Sequence, residues 1–230
     1  MFLLFLVLFA LGIVLLEAFK TFKISQYQKK FCCAHGIDAS HLPNPFFCFL
    51  KRLVDIGVSL VVCLTLLPLL YLVLAPVICL TSKGPAIFRQ KRIGIFDSRF
   101  TCYKFRSMVL NNDETTAGPN DKRVTKIGRL IRKTHIDEFP QFFNVLIGDM
   151  SLIGPRPYSV SAAVPLQESE RYFERLLIRP GLSGLAQINS NRTLKHNQVI
   201  FFDVTYLEEM SYKKDIYIFF ETLKFKDIAY

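Results

Sequence analysis

The sequence predicts an α+β fold, predominantly helical and membrane-associated, with a re-entrant kinked helix, a small β-hairpin, amphipathic surface helices and an N-terminal transmembrane helix. Three observations carry this expectation. Two long apolar runs occupy much of the first 80 residues, short β-prone stretches flank a turn after them, and helical periodicity dominates the rest. The 230 residues are 51% hydrophobic and still carry a formal charge of +10. Surfaces so basic usually meet nucleic acid, anionic lipid or phosphorylated molecules. The length suits one principal domain with an appendage. The chain divides into an anchor and basic linker over 1–48, a re-entrant membrane helix over 49–82, and a domain lying on the membrane surface over 83–230.

Residues 2–16, FLLFLVLFALGIVLL, open the chain with a nearly uninterrupted apolar run, extended past Glu17 by Ala18 and Phe19. At helical rise it just crosses a bilayer core of roughly 30 Å, with slight thinning. A cleaved signal peptide competes, but it wants a basic residue before the run and a small-x-small site after it, and neither is clear. Lys20, Lys23, Lys29 and Lys30 follow, which places the C-terminal side in the cytoplasm.

The second run, Leu53 to Leu80, is long for one span, has Pro68 near its middle, and is basic on both flanks. Lys51 and Arg52 precede it, while Lys83, Arg89, Lys91 and Arg92 follow. Basic flanks on both sides favour two half-helices that dip into one leaflet and return, with the break at the proline. The competing geometry is a tilted span with a kink. Asp55, four residues after Lys51, is placed to pair with it across one turn.

Beyond residue 81 the stretches AIFRQKRIG and RFTCYKFRSM, separated by FDS, read as a hairpin. NNDETTAGPNDK (111–122) is a loop by composition. Residues 123–148 hold apolar positions at helical spacing, interrupted at His135 and Pro140, and read as two short helices joined near Asp137 and Glu138. Pro140 suits the first turn of the second. The segment 196–230 is aromatic and amphipathic, fit to lie on a membrane surface. Six Cys without a loop-spaced framework read as reduced thiols. Cys32, Cys33, His35 and His41 lack the paired spacing of zinc ligands.

Chemistry concentrates in THIDEFPQFFNVLIGDMSLIGPRP (134–157), where two adjacent acids stand in an apolar, Gly/Pro-framed segment. Lys104, Arg106, Arg129, Arg132 and Arg156 supply cations suited to phosphate oxygens, Arg129 and Arg132 one helical turn apart. Two carboxylates among such cations can divide labour: one acts as nucleophile, the other holds Mg²⁺. Adjacent helical residues point roughly 100° apart, which disfavours a shared-proton dyad. A solvated cationic face against anionic lipid is the plainer reading of any single Arg.

The order of motifs adds more. KRLVD (51–55), Pro68 in its apolar segment, GPAIFRQKRIG (84–94), YKFRSM (103–108), RVTKIGRLIRKTHIDEFPQFFNVLIGDMSLIGPRP (123–157), RPGLSGLAQIN (179–189) and FFDVTYLEE (201–209) together resemble the monotopic phosphoglycosyl transferases, bacterial sugar transferases that begin polyprenol-linked glycan assembly. The resemblance covers about residues 49–215. It implies transfer of a sugar-1-phosphate from a UDP-sugar to a polyprenol phosphate such as undecaprenyl phosphate, with release of UMP, at the cytoplasmic face of the bacterial inner membrane. It also implies that Asp137 forms a covalent phosphosugar intermediate, that Glu138 binds Mg²⁺, and that Lys104, Arg106, Arg132, Arg156 and Asp203 serve substrate binding or activity. Before the resemblance, Asp203 reads equally well as a capping or ion-pairing acid.

Departures matter too. Leu67 precedes Pro68 where relatives often carry Ser, so no hydroxyl stands there to satisfy freed backbone. NSNRT (189–193) replaces the usual Gly-Arg-Asn loop. With no Trp, an interfacial aromatic belt falls to Tyr and Phe. A different class, a non-catalytic basic adaptor on anionic lipid or an acidic partner, is separable by its indifference to the two acids. Nucleic acid fits poorly, because the cations are not interleaved as a groove or stacking motif.

Overall fold

The computed structural model describes residues 2–109, 121–189 and 194–224, with side chains from residue 10 onward. Most of the expected loop over 111–122, four residues of the NSNRT stretch and the last six residues of the tail lie outside the described residues.

Helix α1 (Phe2–His35) is continuous through the first apolar run and the basic stretch after it. Its second half turns a polar seam inward: Glu17, Thr21, Gln28 and Cys32, all on one helical face, are buried. Gln28 Nε2 donates to the Leu177 carbonyl at 2.8 Å, and Glu17 meets Arg52 at 3.4 Å. Leu11, Leu15, Leu16, Phe19 and Phe22 face outward. Among the described residues no single helix is long and apolar enough to cross a membrane. The expected N-terminal transmembrane helix therefore is not one of the spans the described residues supply. Past Glu17 the helix carries charges and packs on the body, and residues 2–9 of its apolar run have no described side chains.

Helices α2 (Pro45–Leu64) and α3 (Leu66–Thr81) form a pair bent by 45°, which together meet the length and composition of a span. The break falls at Thr65, three residues before Pro68. The physical reason is that a proline ring clashes with the carbonyl four residues back, here that of Leu64, and donates no hydrogen bond to it. The hydroxyl missing beside Pro68 is supplied upstream, where Thr65 Oγ1 donates to the Val61 carbonyl at 2.7 Å. Asp55 does not pair with Lys51. It accepts the Leu152 N–H at 3.1 Å, while Lys51 reaches Asp215 at 2.6 Å. The tertiary body offers both groups better-placed partners than one helical turn does.

Strands β1 (Ile87–Ile93) and β2 (Arg99–Phe105) form the expected antiparallel hairpin, with Ile87 opposite Phe105 and Phe88 opposite Lys104. Its turn holds Phe96 and Asp97 at φ 54° and 59°, a strained conformation for non-glycine residues. Tyr27 and Phe31 of α1 pack on Phe96. Helices α4 (Lys126–Lys133) and α5 (Gln141–Ile147) are the expected short pair. A second two-stranded sheet is parallel, β3 (Ser151–Ile153) beside β4 (Gly181–Ser183), with α6 (Val160–Ala163) between them in sequence. Gly154 and Gly181 let the two backbones meet: a Cβ on Gly181 would lie 2.1 Å from Gly154 N.

After α7 (Leu185–Asn189), α8 (His196–Glu208) departs from the surface role expected of it. Val199, Ile200, Val204, Tyr206 and Leu207 are buried against Tyr172, Leu176 and Leu177. Its apolar residues recur on one face, and that face is consumed by the core. Of these two helices α9 (Tyr212–Lys224) is the one with an outward apolar face, with Ile216, Tyr217, Phe219, Phe220 and Leu223 exposed.

Candidate active site

The acids sit in a single 3₁₀ turn, Ile136–Glu138, between α4 and α5. His135 enters it at φ 55°, in the left-handed region, which ends α4 and redirects the chain. Thr125 caps α4 by accepting from Gly128 N at 2.9 Å, and Gly148 at φ 101° closes α5. Asp137 is 7% exposed, and Glu138 keeps 23% of its side chain accessible.

The two carboxylates have unlike surroundings. Glu138 Oε1 accepts from Lys104 Nζ at 2.5 Å and lies 3.7 Å from Arg156 Nη2. Lys104 arrives by strand alternation, sharing a face with Phe100 and Cys102, both buried. Burial alone would raise Glu138, but the Lys104 ammonium and the Arg156 guanidinium overcome it and hold the carboxyl well below the usual range. Asp137 makes no ion pair among the described residues. Burial lifts its pKa to about 6, with Glu138 adding to the rise and Lys104 and Arg132 opposing it. A pair whose environments push its members apart is the pattern of divided acid roles.

Arg132 stands on α4 and donates Nε to Ser107 Oγ at 2.7 Å, beside the acid turn. Arg129, one turn away, is exposed. Two expected site residues lie elsewhere. Arg106 is buried, and its guanidinium donates to the carbonyls of Ser82 at 2.6 Å, Lys83 at 2.8 Å and Ile78 at 3.4 Å. It caps the C-terminus of α3, where orphan carbonyls and the helix dipole favour a cation. Asp203, 1% exposed on the inner face of α8, pairs with Arg175 Nε at 2.9 Å and is out of reach of solvent. Of the cations singled out for phosphate, Lys104, Arg132 and Arg156 surround the acids, and Arg106 does not.

Asn144 escapes a reading by charge. Fully buried on α5, it accepts the Tyr103 N–H at 3.1 Å and donates to the Thr101 carbonyl at 2.7 Å. It thus ties the helix after the acids to the strand that carries Lys104. Arg52 joins the same helix from its other end, donating to the Val145 and Leu146 carbonyls at 2.6 and 2.9 Å. A buried polar residue on an otherwise apolar helical face was the available signal for Asn144.

A body that holds one carboxylate in an ion pair and, among the described residues, buries its neighbour without one, packed beside a bent apolar helix pair, defines a narrow class. The chain belongs to the bacterial sugar transferase family, whose model matches residues 46–226, from the start of α2 through α9. It is 44% identical over 182 residues to the UDP-glucose:undecaprenyl-phosphate glucose-1-phosphate transferase of Klebsiella pneumoniae, covering 75% of this chain and 39% of that protein. It is 41% identical over 192 residues to the UDP-N-acetylgalactosamine-undecaprenyl-phosphate N-acetylgalactosaminephosphotransferase of Aeromonas hydrophila, covering 80% and 45%. A sugar transferase of Bacillus subtilis, EpsL, is 38% identical over 177 residues, 76% of this chain and 86% of that protein. The chain spans less than half the length of the first two.

Proposed function

We propose that the protein transfers a sugar-1-phosphate from a UDP-sugar to a polyprenol phosphate such as undecaprenyl phosphate, releasing UMP and starting membrane-linked glycan assembly. The observation that carries this reading is the unlike pair: Asp137 buried with no ion pair among the described residues, Glu138 ion-paired to Lys104 and Arg156. The relatives' names, which specify undecaprenyl-phosphate sugar phosphotransfer, support it.

In the first half-reaction an Asp137 carboxylate oxygen attacks the sugar-bearing phosphorus. The bond to the bridging oxygen breaks, UMP leaves with that electron pair, and an acyl phosphosugar remains on Asp137. In the second, a phosphate oxygen of the polyprenol attacks the same phosphorus and the carboxylate departs. Splitting the transfer this way replaces one difficult step by two easier ones. A partly desolvated carboxylate is the better nucleophile, and one with a pKa of about 6 is ionised at neutral pH. Arg132, Arg156 and Lys104 stabilise the negative charge of the diphosphate.

The donor set fits Mg²⁺, which binds through one or two carboxylates and completes its shell with water and phosphate oxygens. Glu138, whose Oε1 faces Lys104 and Arg156, is the residue that would hold the ion. When bound, the ion neutralises diphosphate charge.

Exposed apolar residues support membrane attachment. Leu60, Val61, Leu64, Leu66, Leu69, Leu72 and Val73 on α2 and α3 are exposed, as is the apolar face of α9, and contiguous apolar surface of this kind marks membrane or protein contact. Re-entry is supported by both ends of the bent pair being tied to one body: Arg52 and Asp55 at one end, Arg106 and the Ile78 core contact at the other. We read the site as lying on the cytoplasmic face of the inner membrane, a reading supported by the basic flanks of the bent pair. The test is incubation with a panel of UDP-sugars, undecaprenyl phosphate and Mg²⁺, scored by UMP release. Release that is lost in Asp137→Asn, together with a phosphosugar adduct on wild-type Asp137 without acceptor, is expected. An adduct in Asp137→Asn sinks the assignment, and no UMP from the whole panel, with lipid binding indifferent to both acids, points to the adaptor.

A further inference from the structure

The loop that carries Arg156 is held at four consecutive carbonyls. Pro155 O accepts from Gly181 N at 2.8 Å and Tyr158 O from Ile93 N at 2.9 Å, both main-chain bonds. Between them, Arg156 O accepts from Arg175 Nη2 at 2.7 Å, and Pro157 O from Arg92 Nη1 at 2.6 Å. Prolines on both sides of Arg156 fix φ and remove two N–H groups, so the carbonyls are the handles by which the fold can grip this segment. The two central grips come from side chains, each a guanidinium with a second anchor. Arg175 is buried, lies 5.1 Å from the Tyr158 ring centroid, and donates Nε to Asp203 at 2.9 Å. Arg92 also donates Nη2 to Gln90 Oε1 at 3.2 Å.

We propose that Arg92 and Arg175 are positioning residues for Arg156, and that Asp203 acts on the reaction only through Arg175. The proposal rests on the transferase reading above. Asp203 fixes the guanidinium plane, Arg175 and Arg92 fix the loop carbonyls, and the loop then delivers the Arg156 guanidinium to 3.7 Å from the Glu138 carboxylate. Asp203 thus acts at a distance, because its Oδ2 accepts from Arg175 and the whole carboxylate is enclosed by the α8 core. Arg175 spans Asp203 and Arg156 O from two nitrogens at once, in a fixed planar geometry that the flexible ammonium of Lys lacks.

The experiment measures UMP release by Arg175→Lys, Asp203→Asn and Arg92→Gln, each in the wild-type and the Arg156→Ala backgrounds, beside hydrogen exchange of the peptide spanning 154–161. Arg92→Gln, from a half-buried site, covers the case in which a variant at the buried pair fails to fold. In the wild-type background each variant loses roughly 10- to 100-fold in kcat/KM, the range for misplacement of a contact by about 1 Å. In the Arg156→Ala background the same changes cost less than about threefold, because residues acting through one partner are non-additive. Exchange rises in 154–161 and not in α5. Equal fold-losses in both backgrounds, or unchanged exchange in that peptide, overturn the proposal. Failure of wild type to release UMP from any UDP-sugar defeats the transferase reading instead, and the exchange arm still decides the clamp.

Discussion

Replacing Asp137 by Asn should abolish turnover and at the same time stabilise the fold near neutral pH. The carboxyl rises from 3.8 to about 6 on folding, chiefly through burial. Between those values the native state binds more protons than the unfolded state, so stability falls as pH rises through the window. Above about pH 6 the loss is complete, and below 3.8 it vanishes because both states are protonated. At about 1.4 kcal/mol per pH unit, the ionised carboxylate costs about 3 kcal/mol in the native state. Asn is near in size and neutral, and removes that cost. The variant should therefore be about 2–3 kcal/mol more stable at pH 7.5, which for a chain of this length raises Tm by roughly 4–12 °C. At pH 4 the gain should nearly disappear. Thermal unfolding of both proteins in one detergent at the two pH values reads this directly. A variant less stable than wild type at pH 7.5, or one with the same gain at both pH values, refutes the reasoning.

Other outcomes follow from the same geometry. UMP release by wild type should fall as pH drops through about 6, where Asp137 takes up its proton, and an undiminished rate at pH 5 contradicts this nucleophile. Lys104→Met removes a cation that holds Asp137 down and Glu138 in place. It should cut kcat/KM about 100-fold and move the acidic limb to higher pH, as a pH–rate profile will show. Arg106→Ala should lower stability by about 2–4 kcal/mol in chemical denaturation, because buried carbonyls at the end of α3 lose their donors, while KM for the UDP-sugar stays unchanged. Gly181→Ala should prevent folding or expression, since its methyl would overlap Gly154 in the parallel pair. Normal yield and melting of that variant would falsify the close-approach argument.

The legible parts share one property: their determinants are local. The hairpin shows in alternation around turn residues, and α4 and α5 show in helical spacing broken at His135 and Pro140. The acid turn falls at that break, because a left-handed residue and a proline confine the chain there whatever surrounds it. The bend of the apolar segment follows from Pro68, displaced to Thr65 because proline disrupts the residues before it.

What the chain could not announce locally is who partners whom. Lys104, near the end of β2, and Arg106, just past it, stand two residues apart and look equally fit for phosphate. The strand ends at Phe105, and the C-terminus of α3 takes Arg106 to three backbone carbonyls while Lys104 stays on Glu138. Asp203 and Asp137 are both buried acids, but only Asp203 has an Arg at hydrogen-bond distance. α8 and α9 are both rich in apolar and aromatic residues, and only the packing decides that α8 lies in the core and α9 faces out. The sequence by itself determined the element types, the acid turn and the supply of cations, since these depend on dihedral preference, periodicity and composition. The tertiary structure alone decided which carboxylate was neutralised and which, among the described residues, was left buried without an ion pair, because desolvation and charge pairing depend on neighbours from other elements, Lys104 lying 34 residues from Glu138 in the chain.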